Sequence, residues 1–134
     1  MIVLDTDTVA AVMRGEERIR QRLLAHSRDS VVLPQPVVAE IEYGLSRLPD
    51  SRRKRTLGDR WGVVSRELGR IEWTDAVSTA FGAVKAGLER RGLRLDDFDV
   101  AIAAHAIAYD AVLVTGNVSH FERIRGLEIE NWPA

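Results

Sequence analysis

The sequence predicts an α/β fold in which a mostly parallel sheet of about five strands is flanked by helices. Two observations support this prediction. Short apolar runs alternate with longer stretches of helical spacing along the whole chain, and strands separated by helices imply parallel crossover connections. The 134 residues, of which 46% are hydrophobic, have the size and composition of one domain with its own core. Residues 1–134 are therefore expected to form a single domain.

Five short runs are predicted to be strands because each is a compact apolar or β-branched run. The run IVL near the N-terminus and the run AVLVT near the C-terminus are the most apolar of them. RIEW and LEIEN are more polar. In chain order the predicted strands cover residues 2–4, 31–33, 70–73, 111–115 and 127–131.

Six longer stretches are predicted to be helices. Gly15 and Gly69 each end one of them, and Pro36 stands where a helix begins well. Within residues 75–91 the apolar side chains recur every three or four positions, as on one face of a helix. In chain order the predicted helices cover residues 6–15, 16–27, 36–48, 51–68, 75–91 and 99–109.

The last predicted helix contains VAIAAHAIA, which is apolar almost all round. Such a helix is usually buried, and its alanines allow a close approach to the sheet. Asp110 is expected to mark the turn from this helix into the strand AVLVT. The helix is therefore predicted to cross over the sheet and to lead into a central strand.

The composition excludes several classes of protein. There is no cysteine, so disulfides and thiolate metal sites are excluded, and a reducing compartment is expected. The N-terminal apolar run is too short and too uncharged for a signal peptide, and no apolar run is long enough to cross a membrane. We therefore expect a soluble cytoplasmic protein without a membrane partner.

Charge is distributed unevenly along the chain. The net charge of -1 gives no indication of nucleic-acid binding. Two basic runs nevertheless stand out, SRRKR at residues 51–55 and ERRGLR at residues 89–94. Charge patterning alone favours two solvated helix surfaces.

Polar side chains gather at one edge of the predicted sheet, beyond the carboxyl ends of the strands, where open α/β sheets bind their ligands. Any one of these acids is explained by a helix cap or a solvated surface. Several acids at one edge repel each other unless a cation lies between them, and oxygen ligands suit Mg²⁺ or Mn²⁺. The side chains expected at this edge are Asp5, Glu40, Glu42, Asp96, Asp97, Asp99, Thr115 and Asn117.

Helical periodicity does not decide between Glu40 and Glu42. The two glutamates flank the apolar face of their helix on opposite sides, at similar angles. Gly44 lies one turn after Glu40 and leaves room on that side, which favours Glu40 slightly.

The opening run MIVLDTDTV resembles the first motif of the haloacid-dehalogenase-like phosphohydrolases. In that family Asp5 would be the nucleophile and Asp7 the acid or base. The family also needs a lysine and a late acidic pair after an apolar strand, whereas Lys54 and Lys85 do not follow strands here. This resemblance ends after its first motif.

The whole chain resembles the PIN-domain ribonucleases, and specifically the VapC toxins of type II toxin–antitoxin modules. VVAEIEYGL is similar to the A-E-L-x-Y-G motif of that family. DFDVAIAAHAIAYDAVLVTGNVSHF is similar to its D-x-x-I-A-A-x-A and L-V-T-x-N-x-x-x-F motifs. The resemblance runs from Met1 to Trp132, although residues 46–95 carry no signature. It implies a PIN-like three-layer fold and a metal-dependent endoribonuclease that hydrolyses RNA phosphodiester bonds.

The resemblance also implies roles for the acidic positions. Asp5 and Asp99 would be the principal metal ligands, and Glu40 would be the third catalytic acid, which settles the choice between the two glutamates. Asn117 stands at a fourth catalytic position where many family members have aspartate. The loss of that charge argues against a second tightly held metal ion.

The implied cofactor is Mg²⁺ or Mn²⁺. Held by Asp5 and Asp99, it would bind a phosphate oxygen and lower the pKa of a bound water. Two further residues would support the site. Thr115 would lie beside the metal and orient water or phosphate, and Asp7 would support the loop through hydrogen bonds.

The three histidines are expected to lie outside the acidic cluster. His105 comes six residues after Asp99 and so lies on a different helix face. His26 and His120 belong to segments that are predicted to lie apart from the acids. No histidine is therefore predicted to be catalytic.

The resemblance finally implies macromolecular partners. These are a VapB-type antitoxin that can place a basic side chain in the acidic pocket, a second copy of the chain in a homodimer, and an RNA substrate, either transfer RNA or ribosomal RNA. RNA needs basic side chains to offset repulsion by an acidic site. Arg52, Arg53, Arg55 and Arg91 are candidates for this role, with contacts to an acidic partner segment as the alternative.

Two other functions remain open from the sequence. One is a small phosphohydrolase that uses Asp5 as its nucleophile. The other is a catalytically silent PIN-like module that binds RNA or protein. The joint presence of Asp5, Glu40 and Asp99 argues against a silent module.

Overall fold

The computed structural model describes residues 1–132 and confirms the predicted α/β architecture. Within these residues the chain forms five strands and seven helices, with one short 3₁₀ turn before the second strand. The strands are β1 (Ile2–Leu4), β2 (Val31–Pro34), β3 (Gly69–Ile71), β4 (Val112–Val114) and β5 (Glu128–Glu130). The helices are α1 (Thr6–Met13), α2 (Glu17–Leu24), α3 (Gln35–Ser46), α4 (Arg52–Glu67), α5 (Asp75–Arg90), α6 (Asp97–Ala108) and α7 (Val118–Phe121).

The sheet has the strand order β3-β2-β1-β4-β5, and every neighbouring pair is parallel. β1 lies at the centre and is buried along its whole length, as its uninterrupted apolar run requires when helices cover both faces. The chain proceeds outwards from β1 through β2 to β3, and then returns to the other side of β1 with β4. The strand order therefore reverses between β1 and β4, which is where ligands bind in such sheets.

The alanine-rich helix α6 is buried along most of its length, as predicted. It packs along α5 and against β4, and Ala103, Ala104 and Ala106 have no exposed surface. Asp110 has a φ of 53° and marks the turn into β4. Neither α6 nor any other helix within residues 1–132 has the length and apolarity that a membrane crossing requires.

Several element boundaries differ from the prediction by one to three residues, and one short helix was not predicted. α6 begins at Asp97 rather than at residue 99, because the Asp96 side chain caps it by accepting from the Phe98 N–H at 2.8 Å. β3 begins at Gly69, which was predicted only to break the preceding helix, because the buried Leu68 already has extended backbone. The one-turn helix α7 was not predicted, because four residues carry too little periodicity to detect.

Close packing of α6 predicts that a larger side chain is poorly tolerated there. Ala103→Leu should lower the free energy of unfolding by about 1–3 kcal/mol, because the fully buried Ala103 lies in the core and the extra carbons have no room. Urea unfolding followed by circular dichroism measures this loss. Ala76→Leu is the control, since Ala76 is exposed on α5, and it should change the stability by less than about 0.5 kcal/mol. Equal losses in both variants would contradict the packing of α6.

Candidate active site

Asp5 lies at the point where the strand order reverses. Its backbone N–H donates to the Val114 carbonyl at 3.1 Å, which continues the β1–β4 pairing by one residue. Its side chain then caps α1, with Oδ1 accepting from the Thr8 N–H at 2.9 Å. Only 4% of Asp5 is exposed, so a carboxylate is buried at the carboxyl end of the central strand.

The residues after β4 support Asp5. Thr115 is fully buried, and its hydroxyl lies close enough to the Asp5 carboxylate to lower the pKa of that group. Its Oγ1 also accepts from the Asn117 N–H at 2.9 Å, which places Asn117 at the start of α7 with its side chain exposed. Because Thr115 is buried, it can support Asp5 from below the surface, and its predicted role of orienting water or phosphate stays a prediction.

The structure separates the two glutamates of α3. The Thr6 hydroxyl donates to Glu40 Oε1 at 2.5 Å, which joins Glu40 to the turn that follows Asp5. Glu42 instead accepts from Trp61 Nε1 at 3.2 Å on the α4 side of the helix. Glu40 is therefore the glutamate on the side of the acidic edge.

Asp99 lies in the first turn of α6, where its Oδ2 is 3.0 Å from His120 Nε2. The prediction that His120 lies outside the acidic cluster is therefore wrong. Asn117 stands at the start of α7 and His120 in its single turn, which returns the chain towards α6. The available signal in the sequence was that His120 follows Asn117 by three residues, the spacing of about one helical turn. That signal could not be used because α7 itself was not predicted.

The other two histidines lie outside the acidic edge, as predicted. His105 is fully buried, its Nδ1 is 2.7 Å from the Ala101 carbonyl, and burial lowers its pKa. The His26 ring stacks on Trp132 with 5.3 Å between the ring centroids.

Burial raises the pKa of Asp5, Glu40 and Asp99 above their ordinary values. Hydrogen bonds oppose the rise in each case, from Thr115 and Thr8 at Asp5, from Thr6 at Glu40 and from His120 at Asp99. Each carboxylate is thus held by a neutral donor or an imidazole and loses part of its hydration.

Mutual repulsion adds to the effect of burial and shows that the acids share one electrostatic field. The charge of Asp7 raises the pKa of Asp5, Glu40 and Asp99, and Asp96 raises the pKa of the last two. The Asp7 side chain is exposed and, within residues 1–132, makes no hydrogen bond. The predicted loop support by Asp7 is therefore absent, and its charge acts on all three carboxylates.

The donor chemistry of the site suits a hard divalent ion, because its donors are carboxylate and amide oxygens and its like charges need a counter-ion. Within residues 1–132, however, no group of three or more histidine, aspartate or glutamate side chains is arranged so that it could hold a metal ion. Mg²⁺ commonly takes only one or two protein carboxylates and completes its shell with water and phosphate. Asp5 and Asp99 would meet that requirement.

A groove borders the acidic edge, but Asp5, Glu40 and Asp99 are not among the residues that line it. Asp7 and Asn117 face this groove of about 520 Å³, together with Thr8, Arg14 and Trp132.

A family model described as "PIN domain" matches residues 2–127. The chain belongs to the PIN-domain family. The buried Asp5 and the two acids of α3 and α6 therefore lie in a PIN-domain frame.

Curated relatives extend the PIN-domain match over nearly the whole chain. "Ribonuclease VapC2" of Rickettsia felis is 32% identical over 132 residues, which cover 97% of this chain and 96% of the relative. "tRNA(fMet)-specific endonuclease VapC" of Salmonella typhimurium is 30% identical over 131 residues, with the same coverage of 97% and 96%. A solved structure, VapBC2 of Rickettsia felis bound to a promoter DNA fragment, superposes with a TM-score of 0.89 at 29% identity and covers 99% of this chain and 100% of that one.

The basic residues of α4 face different directions. Arg53 lines a groove between α1, α3 and α4, whereas Arg52 and Arg55 are exposed and turned away from it. Within residues 1–132 neither of these two side chains makes a hydrogen bond or an ion pair. Arg91 lies elsewhere and donates to the Arg123 carbonyl at 2.6 Å, so its guanidinium joins the end of α5 to the segment before β5. Contact of Arg91 with RNA stays a prediction.

The groove that contains Arg53, here called the α1–α3 groove, begins beside the acidic site. Ala10 and Gly44 form the end of the groove nearest the site. Each lies one helical turn after a partner in the hydrogen bond between Thr6 and Glu40. It has a volume of about 230 Å³. It is lined by Ala10, Met13, Arg14, Ile41, Gly44, Leu45, Arg47, Leu48, Arg53 and Leu57.

Repulsion within the PIN-domain site predicts that removing one acid stabilises the metal-free protein. The pKa of Glu40 is raised in the folded state, so stability is lost as the pH rises above the ordinary value of 4.5 and Glu40 ionises. In EDTA at pH 8, Glu40→Gln should raise the thermal unfolding midpoint by a few degrees, because the amide still accepts from Thr6 without the charge.

Thermal unfolding between pH 5 and pH 8 measures this difference, which should shrink as the pH falls towards 4.5 and the wild-type carboxylate is protonated. Glu42→Gln is the matched control on the other side of α3, and no such stabilisation is expected from it. A Glu40→Gln protein that is no more stable than the wild type at pH 8 would count against the shared acidic field.

Proposed function

We propose that this PIN-domain protein is an endoribonuclease that acts as the toxin of a toxin–antitoxin pair. The observation that carries the proposal is the electrostatic coupling of acids from three separate elements at the carboxyl-terminal edge of the sheet. Such a group of carboxylates is costly for the fold, since each raises the cost of ionising the others. The names of the relatives from Rickettsia felis and Salmonella typhimurium support ribonuclease activity.

We propose transfer RNA as the first substrate to examine. The relative from Salmonella typhimurium, 30% identical over nearly the whole chain, is named for cleavage of initiator transfer RNA. An acidic site on an open edge suits single strands and loops, whose backbone can enter a groove that a duplex cannot. Ribosomal RNA is the competing substrate.

We propose Mg²⁺ or Mn²⁺ as the cofactor, with Asp5 and Asp99 as its protein ligands. When bound there, the ion would withdraw charge from a phosphate oxygen and lower the pKa of a coordinated water. Glu40, held by Thr6, would orient the attacking water through its second oxygen. Asn117 would donate a hydrogen bond from its amide to the phosphate, and Thr115 would hold Asp5 in place.

A phosphohydrolase with Asp5 as nucleophile is not favoured. Residues 2–127 match the PIN-domain family and not the haloacid-dehalogenase-like phosphohydrolases. Asp5, which would be the nucleophile, is only 4% exposed. Such an enzyme also needs a lysine beside the nucleophile. Lys54 donates to the Leu48 carbonyl at 3.2 Å, and Lys85 pairs with Asp97 at 2.9 Å, so neither is directed to Asp5.

A VapB-type antitoxin is the proposed protein partner. The solved structure from Rickettsia felis is titled as a VapBC2 complex, which supports a partner of that kind here. The chain also has an apolar groove of about 570 Å³ between α2 and α4, where Leu24 and Val63 are 66% and 53% exposed. Exposed apolar surface of this kind is typical of protein–protein contacts. A homodimer remains a prediction from the family resemblance.

The proposed chemistry predicts a clear order among substitutions of the acids. Asp5→Asn and Asp99→Asn should each reduce RNA cleavage by about 100-fold or more, because each removes a charged metal ligand. Asp7→Asn should reduce it by about 10-fold, because it weakens the field without removing a ligand. Cleavage of a transfer RNA transcript in Mg²⁺, in Mn²⁺ and in EDTA measures these effects.

A control separates loss of chemistry from loss of folding. Glu42→Gln should cleave at the wild-type rate, since Glu42 contacts Trp61 outside the acidic edge. Equal cleavage by all the aspartate variants, or cleavage that persists in EDTA, would refute the metal-dependent mechanism. Unchanged RNA binding with no cleavage by the wild type would instead favour a silent binding module.

The α1–α3 groove predicts that the arginines of one helical turn differ in their effect on RNA binding. In an Asp5→Asn background, Arg53→Ala should weaken RNA binding about 5-fold. It should also reduce the slope of log affinity against log salt concentration by about 1, as expected for the loss of one phosphate contact. Arg55→Ala is the matched control from the same basic run and should change neither quantity. Fluorescence anisotropy at several salt concentrations measures both. Equal effects of the two substitutions would show that RNA does not follow this groove, and an effect only on antitoxin binding would assign Arg53 to the protein partner.

A further inference from the structure

We propose that His120 is a positioning residue that fixes the orientation of the Asp99 carboxylate for a divalent ion. His120 Nε2 lies 3.0 Å from Asp99 Oδ2. An ionised carboxylate only accepts hydrogen bonds, so Nε2 carries the hydrogen and Oδ1 is left for the ion. The inference rests on the proposed metal-dependent function.

His120 is held firmly enough to set the position of another side chain. It belongs to α7, where the His120 N–H donates to the Asn117 carbonyl at 3.2 Å. The neighbouring Phe121 is 2% exposed and anchors the turn in the core, and Ile124 is buried just after it. The imidazole also packs edge-on against the Phe121 ring, with 5.6 Å between the centroids. The ring therefore has support on two sides while its side chain stays 30% exposed.

The segment from Thr115 to His120 contacts both principal carboxylates. At its start, Thr115 directly follows Val114, whose carbonyl accepts from the Asp5 N–H, and at its end His120 hydrogen-bonds Asp99. Asp5 and Asp99 come from different elements, β1 and α6, so one short segment sets the spacing between them. Hydrogen bonds to metal-ligating groups commonly fix ligand orientation in this way.

A simple ion pair is the alternative role for His120. The two side chains are 30% and 28% exposed, and a pair of that kind contributes little to stability. Loss of an ion pair that only joins α7 to α6 would leave metal affinity unchanged and would have at most a small effect on the unfolding midpoint. Substitution of a positioning residue should change the metal affinity. The size of the change should depend on where the new side chain places its hydrogen-bond donor.

Amide side chains distinguish these roles. The glutamine amide nitrogen lies at about the same distance along the side chain as Nε2, whereas the asparagine amide nitrogen lies near the position of Nδ1. His120→Gln therefore keeps a donor for Asp99 and His120→Asn does not reach it. His120→Leu keeps similar bulk without a donor.

The test measures Mn²⁺ binding to the purified full chain by isothermal titration calorimetry and by electron paramagnetic resonance. His120→Leu and His120→Asn should weaken Mn²⁺ binding about 10- to 100-fold, and His120→Gln should stay within about 3-fold of the wild type. Ser119→Ala is the control from the exposed face of the same turn and should bind Mn²⁺ normally. Thermal unfolding in EDTA checks that all variants are folded. If His120→Leu is unstable, the comparison of His120→Gln with His120→Asn decides whether His120 positions Asp99.

Each remaining outcome overturns the inference. Unchanged Mn²⁺ affinity in every variant would reduce His120 to a surface ion pair. A glutamine variant as weak as the leucine variant would show that the imidazole itself is required, as for a direct ligand. A wild-type protein that binds no Mn²⁺ would overturn the proposed metal dependence as well, whereas normal wild-type binding with no effect of the variants would overturn only the role of His120.

Discussion

The parallel pairing of β1 with β4 is the constraint on which the acidic site depends. The pairing ends with the bond from the Asp5 N–H to the Val114 carbonyl, and that carbonyl also accepts from the Thr8 hydroxyl at 3.3 Å. The end of β4 is thus joined to both the end of β1 and the first turn of α1. Thr8 and Val114 are 106 positions apart, so only the completed sheet brings Asp5 and Thr115 together. A local change that shifted β4 by one residue would turn Thr115 away from Asp5.

The acids at this junction lower the free energy of unfolding of the chain. Burial and mutual repulsion both raise the pKa of Asp5, Glu40 and Asp99, so their ionised forms are less favourable in the folded chain than in the unfolded one. The chain offsets part of this cost with hydrogen-bond donors, each from a different segment. Residues that destabilise a fold and still converge at one edge are typical of functional sites.

The sequence was sufficient for features that depend on local pattern, and insufficient for those that depend on tertiary contacts. Alternating apolar runs predicted the five parallel strands, and the position of Asp5 followed from the end of β1. The choice of Glu40 over Glu42 needed the family resemblance, because both lie at similar angles to the apolar face. His120 was misplaced because a single turn of helix reverses the chain direction without a detectable pattern. The charge run also did not reveal that the Arg91 guanidinium donates to a backbone carbonyl.

The hydrogen bonds of the three acids also bear on how many ions the site can hold. Asp5 Oδ1 accepts from Thr8, Glu40 Oε1 from Thr6 and Asp99 Oδ2 from His120, so each carboxylate has at most one oxygen without a protein donor. A two-ion site needs carboxylates that bridge or serve both ions about 3.5–4 Å apart. Asn117 adds a neutral amide where a fourth charge would help to hold a second ion. With one oxygen each from Asp5 and Asp99, water and phosphate would complete the shell of one Mg²⁺, which favours a single ion and leaves Glu40 to position the water.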